Sequence, residues 1–466
     1  MGKSFLPDAV NQSLLFPPSL HDWLPENHLA RFLVDVVSAL DLSAIFSSYE
    51  AKDGRGMSSY APAMMVRVLL YGYATGVYSS RKLEAKTYED VAFRYLSADA
   101  HPDHDTLAEF RKRHLEALAG LFRQALLLCE KAGLVRLGHV SIDGTKIKAN
   151  ASKHKAMSYA RMGETEQRLK AEVEALLKQA EDVDAAEDAQ YGKGKRGDEL
   201  PDELARRESR LKKIAQAKAE LEQEAREKAE RERAEAEAKL AKRRDEEART
   251  GKKKRGREPQ VPDPEQSQPD PRAQRNFTDA ESRIMPDGAN KGSFLQGYNA
   301  QAAVDSKAQV IVAAEVTQET TDNGQLLPML GQVEQNMRRK PEAASADAGY
   351  WSEANATDES VAGIDLHIAT GREKQQQAIE ITGQPPPAQA TAKEAMRHKL
   401  RTEGGRSIYK MRKAIVDPVF GQIKEQRGFR RLSLRGLDNV RREWKLVCMA
   451  SNLLKLFSSG WTAQTA

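Results

Sequence analysis

The stretch Gly138-His139-Val140-Ser141-Ile142-Asp143-Gly144 decides how the rest of the chain is read. It is a short β-type run ending in an acid and a glycine, and it reads as a strand with a turn at its end. Upstream the character is different. Apolar residues recur at helical spacing from His28 to Val34 and again from Ala63 to Tyr73. Leu107 to Ala132 reads as one long amphipathic helix, with Thr106 and Glu109 placed as a capping box. Residues 1–135 are therefore expected to be all-helical. Arg67, Arg81, Lys82, Arg94, Arg111, Lys112 and Arg113 are spread over them, either as a solvated surface or as a face that tracks DNA phosphates. His101-Pro102-Asp103-His104-Asp105 reads as a polar turn ahead of a helix rather than a metal site.

Downstream, residues 136–159 carry the first strand, and 160–256 form a segment of another kind. Between Pro201 and Thr250 stand 15 Lys/Arg and 14 Asp/Glu, a net of +1. Leu169, Val173, Leu176 and Ala180 step at heptad intervals, as do Leu211, Ile214, Leu221 and Ala225, with Lys218 interrupting the second seam. Two helices joined by the polar loop at 191–197 would make an antiparallel, coiled-coil-like hairpin, its exposed faces supported by i,i+4 charge pairs. Such a hairpin could serve assembly or DNA-end binding. The basic run Lys252 to Arg255 reads as solvated, and 257–275, rich in Pro, Gln and Asp, as a disordered linker.

From 276 to 460 strands return. Asn299–Val304 and Gln309–Val316 flank Asp305, which reads as a hairpin-turn acid. Leu326–Met337 is helical, Ala343–Ala346 is a short strand ending at Asp347, and Ile364–Ile368 is another strand. Residues 374–400 read as polar and irregular, and Ile408–Phe457 as helical. The order describes a mixed α/β domain with a helical excursion inside it.

Composition narrows the function. Two cysteines in 466 residues exclude a disulfide scaffold and a Cys-rich zinc module. No apolar run reaches the roughly 18 residues of a membrane span, and no secretory h-region begins the chain, so a cytoplasmic protein is expected. There is no Gly-rich phosphate loop, no His-Glu-x-x-His and no Gly-x-Ser-x-Gly. Acids at strand ends remain: Asp143, Asp347 and, ahead of Pro418, Asp417. Carboxylates gathered at neighbouring strand ends make an oxygen-rich site for Mg²⁺ or Mn²⁺, and two such ions can drive phosphodiester cleavage. Residues 401–450 hold 13 Lys/Arg against 5 Asp/Glu, a net of +8, whereas the whole chain sums to +5. The positive charge is concentrated beside Asp417, as a polyanionic substrate requires.

Three blocks carry a resemblance: Ser141 to Ser152, Asp347-Ala348-Gly349-Tyr350, and Tyr409 to Lys424. Together they resemble the motifs of bacterial insertion-sequence transposases of the DDE type. Tyr60 to Met65, Tyr78 to Leu83 and Asn452 to Leu456 resemble those proteins' N- and C-terminal parts. The resemblance implies an RNase H-like mixed sheet flanked by helices. In that fold the first acid lies on the central strand, the second just after the fourth strand and the third on a following helix. It implies Asp143, Asp347 and Asp417 as catalytic and metal-binding acids, with Mg²⁺ or Mn²⁺, two ions, as cofactor. Glu425 is the alternative third ligand. Tyr409, Arg412, Lys413, Lys424, Lys146, Arg430 and Arg431 are the expected DNA contacts. The sequence departs from the pattern in three places. The third acid is Asp where the family has Glu, Arg412 lies five before it with Lys413 at four, and Tyr409 lies eight before it. An uninterrupted helix would put Asp417 and Lys424 on one face. The implied partners are double-stranded DNA, as element ends and target, and further copies of the chain in a dimer or larger assembly. The alternatives are an RNase H-like nuclease without strand transfer and a DNA-binding derivative that does not cut.

Overall fold

The elements follow the pattern of apolar residues, as a computed structural model shows for residues 19–50, 59–191, 202–251, 253, 256–288, 290, 292–371 and 389–462. The N-terminal helices are α1 (Leu29–Ala39), α2 (Ser43–Glu50), α3 (Pro62–Thr75), α4 (Ser80–Glu89), α5 (Val91–Leu96), α6 (His104–Arg113) and α7 (Leu115–Lys131). Then come β1 (His139–Lys148), β2 (Ala156–Ser158), α8 (Tyr159–Tyr191), α9 (Asp202–Thr250), β3 (Gln274–Asn276), β4 (Arg283–Pro286), β5 (Phe294–Asp305) and β6 (Ile311–Thr317). The chain ends with α10 (Leu326–Met337), β7 (Ala343–Ala346), α11 (Glu353–Thr357), β8 (Asp365–Ile368), α12 (Ala392–Lys399), α13 (Glu403–Gly421) and α14 (Leu437–Ser458). Among the described residues no helix is long and apolar enough to cross a membrane.

The chain divides into two compact units, residues 1–147 with 299–466, and residues 148–298. In the first, the sheet order is β6-β5-β1-β7-β8. Counted along the chain, these strands run third, second, first, fourth, fifth, so the first strand is central. β1 pairs parallel with β7 and β7 parallel with β8, while β5 and β6 are antiparallel. This is the mixed, helix-flanked sheet of the RNase H-like fold. Ile311 to Ala314 of β6 are fully buried because α10 and α14 both pack on that strand. Its outer edge is closed by a side chain. Asn452 of α14 donates to the Ile311 carbonyl and accepts from the Ile311 N–H, both at 2.8 Å. The N-terminal helices belong to this same unit, since α3 and α7 pack along α14.

Several local expectations are corrected. The single helix Leu107–Ala132 is two helices that meet at His114, whose ring stacks on Tyr49 and packs against Phe110. Its cap is Asp103, which accepts from Thr106 N–H at 2.6 Å, while Glu109 pairs with Arg113. Asp is a strong N-cap and lies upstream of Thr106, so the helix starts earlier. In the stretch read as irregular, residues 374–388 lie outside the described residues. Beyond them Thr391 and Glu394 form a full capping box that starts α12. The helical pattern 408–457 is broken between α13 and α14 by a π-helical turn, Gln422–Gln426, and a loop turning at Gly428 and Gly436, both at positive φ. Asp305 is fully buried and accepts the Leu137 N–H at 2.7 Å and the Lys307 N–H at 3.0 Å, a turn acid as read.

In the second unit, α8 and α9 run antiparallel. Arg207 pairs with Glu172, Lys218 with Glu166, and Glu222 accepts from Tyr159, so partners ascend one helix as they descend the other. Met162, Leu169, Ile214, Ala217 and Leu221 form the buried seam. Lys218 does not break it, because its ammonium reaches out to Glu166 at 3.1 Å. Residues 192–197, expected as the connecting loop, lie outside the described residues, as do Lys252, Lys254 and Arg255. The stretch 257–275, expected as a disordered linker, instead lies along α9. Ser267 donates to the Ala225 carbonyl, and the buried Arg275 guanidinium pairs with Glu220 and Glu224. Those buried ion pairs are what a composition of Pro, Gln and Asp does not reveal. β2 and β3 pair antiparallel, and β4 pairs with the Phe294–Gly297 end of β5.

Candidate active site

The central strand β1 delivers Asp143 to one end of the sheet in the first unit. The next residue must be glycine. A Cβ on Gly144 would stand 2.3 Å from Gln301 Nε2, 2.7 Å from Asp322 Oδ1 and 2.9 Å from Asn299 Oδ1. These three side chains form one network behind the acid. Asn299 and Gln301 donate to Asp322 Oδ1 at 2.6 and 2.8 Å, and the buried Tyr350 hydroxyl donates to Gln301 Oε1. Lys146, two residues beyond Gly144, lies 3.7 Å from the same Asp322 oxygen. Burial lowers the Lys146 pKa and Asp322 partly offsets this.

Asp143 itself is held by two donors, Gly144 N–H at 2.8 Å and Arg412 Nη1 at 3.0 Å. Burial pushes its pKa up to about 6, against the pull of Arg412 and the Gly144 N–H and with help from the charges on Asp347 and Asp417. Asp347 follows β7 and caps the next turn, accepting from Gly349 N–H at 2.7 Å. Asp417 is exposed on α13, ahead of Pro418 inside the helix.

Arg412 stands among these acids. Burial works against its charge, but Asp143, Tyr409, Asp347 and Asp417 together outweigh it and make the guanidinium more basic than usual. Its carbonyl accepts from Ser141 of β1, and the guanidinium lies 5.9 Å from the centre of the Tyr409 ring. Its buried Nε–H has no hydrogen-bond partner among the described residues. The wall it belongs to encloses a cavity of about 1250 Å³, lined also by Asp322, Asp347, Arg397, Arg401, Arg406, Tyr409, Lys410 and Lys413. Six cations against two acids give its lining a net positive charge, which suits a polyanion.

The other expected residues are placed as follows. Lys424 falls in the π-helical turn, so the helix between it and Asp417 is not uninterrupted. Its ammonium donates to the Lys146 carbonyl at 2.9 Å and to the Thr145 hydroxyl, tying that turn to β1. Arg430 and Arg431 are exposed, and Arg430 is paired with Glu425. Asp417 is among the charges acting on Asp143 and Arg412. Sequence reading missed Asp322, Asn299, Gln301 and Arg397. Asp322 sits in the polar run Thr320 to Gly324, whose only signal is turn chemistry.

Two stretches match known families. Residues 18–113 match a Transposase domain (DUF772), and residues 370–457 a Transposase DDE domain. Both matches support an insertion-sequence DDE transposase. No curated protein and no solved structure matches it. The DDE match contains Tyr409, Arg412, Asp417 and Lys424 but stops short of Asp143 and Asp347. In this transposase the link between them is spatial, through the Arg412–Asp143 bridge.

The donors suit a hard divalent cation, being carboxylate oxygens. Their arrangement does not. Among the described residues no group of three or more His, Cys, Asp or Glu side chains converges to hold a metal, and two positive charges stand among the acids, the Arg412 guanidinium and the Lys146 ammonium.

Proposed function

We propose that this transposase binds the terminal inverted repeats of its element, cuts a phosphodiester there, and joins the exposed 3′-OH to target DNA. The observation that carries the reading is the Arg412–Asp143 bridge beside the cationic cavity. It puts Asp143 of the central strand against the helix of the matched DDE domain, at the wall where a phosphate backbone would lie. In this reading Arg406, Lys410 and Lys413 hold the backbone. The unpartnered Arg412 Nε–H takes a phosphate oxygen, and Asp143, Asp347 and Asp417 act at the scissile bond. Two element ends processed together call for a dimer or larger assembly. The family implies Mg²⁺ or Mn²⁺, so the reaction is run with each ion and with a chelator.

A second reading is a DNA-binding derivative that does not cut. It is favoured by the Asp in place of Glu at 417 and by Arg412 standing on Asp143. Labelled duplex carrying the genomic sequence that flanks the gene separates the readings. Cutting followed by joined products supports the transposase, cutting without joining supports a nuclease, and binding alone supports the derivative.

A further inference from the structure

We infer that the helical insertion carries a second binding site of its own, for the phosphate backbone of duplex DNA. The site is a cleft of about 910 Å³ within the second unit, between α9, the start of α8 and the β2–β3 ribbon. Its walls hold His154, Lys155, Arg161, Arg206, Arg210 and Lys213, with no carboxylate among the lining residues. That is unusual on this hairpin. Outside the cleft many of its cations are matched with acids, as in Lys170–Glu166, Lys228–Glu232, Arg233–Glu237 and Arg243–Glu247. None of the five Lys/Arg in the cleft has an ion-pair partner among the described residues. Like charges gathered without counter-charges repel one another unless an anion sits between them.

The spacing suits one strand of a duplex. Arg206, Arg210 and Lys213 step by 4 and 3 along α9, so they share one face. They span about 10 Å at 1.5 Å per residue. That is the axial rise of about three phosphates at roughly 3.4 Å each on one strand. Single-stranded DNA is the poorer fit, because its binding sites stack bases on exposed aromatic rings. The one aromatic lining the cleft is Phe277, which is half-buried, and nearby Tyr159 is engaged by Glu222 and Lys218.

The inference rests on the transposase reading for its choice of DNA, and it is tested separately from cutting. The full chain and its Arg206→Gln/Arg210→Gln/Lys213→Gln variant are titrated with a 30-base-pair duplex of the flanking sequence and with a shuffled duplex. Each titration is repeated over a range of salt. The variant should bind both duplexes at least tenfold more weakly near 0.1 M salt. Its slope of log affinity against log salt should be shallower by about 2 to 3, at about 0.9 for each phosphate no longer neutralised. A control that removes equal charge from the same hairpin outside the cleft, Lys228→Gln/Arg233→Gln/Lys239→Gln, should leave that slope within about 0.5 of the parent. Unchanged circular dichroism shows that the variants fold. An unchanged slope in the cleft variant, or an equal loss in the control, overturns the second site while leaving the transposase reading intact. Failure of the parent chain to bind any duplex sinks both.

Discussion

Replacing Asp143 with asparagine should stabilise the folded protein at neutral pH while removing its activity. The carboxyl is 21% exposed, and burial lifts its pKa from 3.8 to about 6 even with Arg412 in contact. That displacement is worth about 3 kcal/mol against the charged form, at 1.36 kcal/mol for each tenfold change. The folded state therefore holds the proton more tightly than the unfolded chain. Stability from this group is fully present below pH 3.8, falls as pH rises through about 6, and is flat above. Asparagine keeps an acceptor for Arg412 and carries no charge to bury. The variant should exceed the parent by about 2–3 kcal/mol in urea unfolding at pH 7.5, and by about half of that at pH 5. A variant less stable than the parent at pH 7.5, or a gap that does not shrink toward acid, would refute the reasoning.

Other sites give sharper local tests. Gly144→Ala forces a methyl into the Asn299–Gln301–Asp322 network and should cost about 1–3 kcal/mol in urea unfolding and lower the cutting rate. Asn452→Ala orphans the Ile311 N–H and C=O on the buried edge of β6, so the same measurement should show a loss of about 2–4 kcal/mol. His139 has the opposite pH sign to Asp143. Burial, with the neighbouring His367, lowers its pKa to about 4, so stability is lost as pH falls from 6.5 through 4. His139→Gln, which can keep the 2.8 Å contact to Ser345, should flatten that part of the pH–stability curve.

How much of this was legible varied with the kind of force involved. β1, the β5–β6 hairpin, α10 and β7 could be read because burial imposes a repeating pattern on the residues themselves. Asp347 could be located for the same reason, since it ends the plain apolar run of β7, whereas the turn expected at Asp143-Gly144 is absent and β1 runs on through them to Lys148. The division of one helix into α6 and α7 could not be read, because the His114 ring at the junction stacks on Tyr49, which is distant in sequence. Lys218 looked like a fault in the seam because nothing local shows Glu166 opposite. Asp322 was missed because its partners, Asn299, Gln301 and Lys146, come from two other strands.

The central claim is that Asp143, Asp347 and Asp417 act together on DNA. It is tested most directly by strand cleavage on duplex carrying the element's ends, with Mn²⁺ or Mg²⁺ present. The parent should cut. Asp143→Ala and Asp347→Ala should bind the duplex and leave it whole, Asp417→Ala should do the same, and Glu425→Ala should cut like the parent. Full cutting by either Asp143→Ala or Asp347→Ala, or loss of cutting in Glu425→Ala alone, would contradict the account.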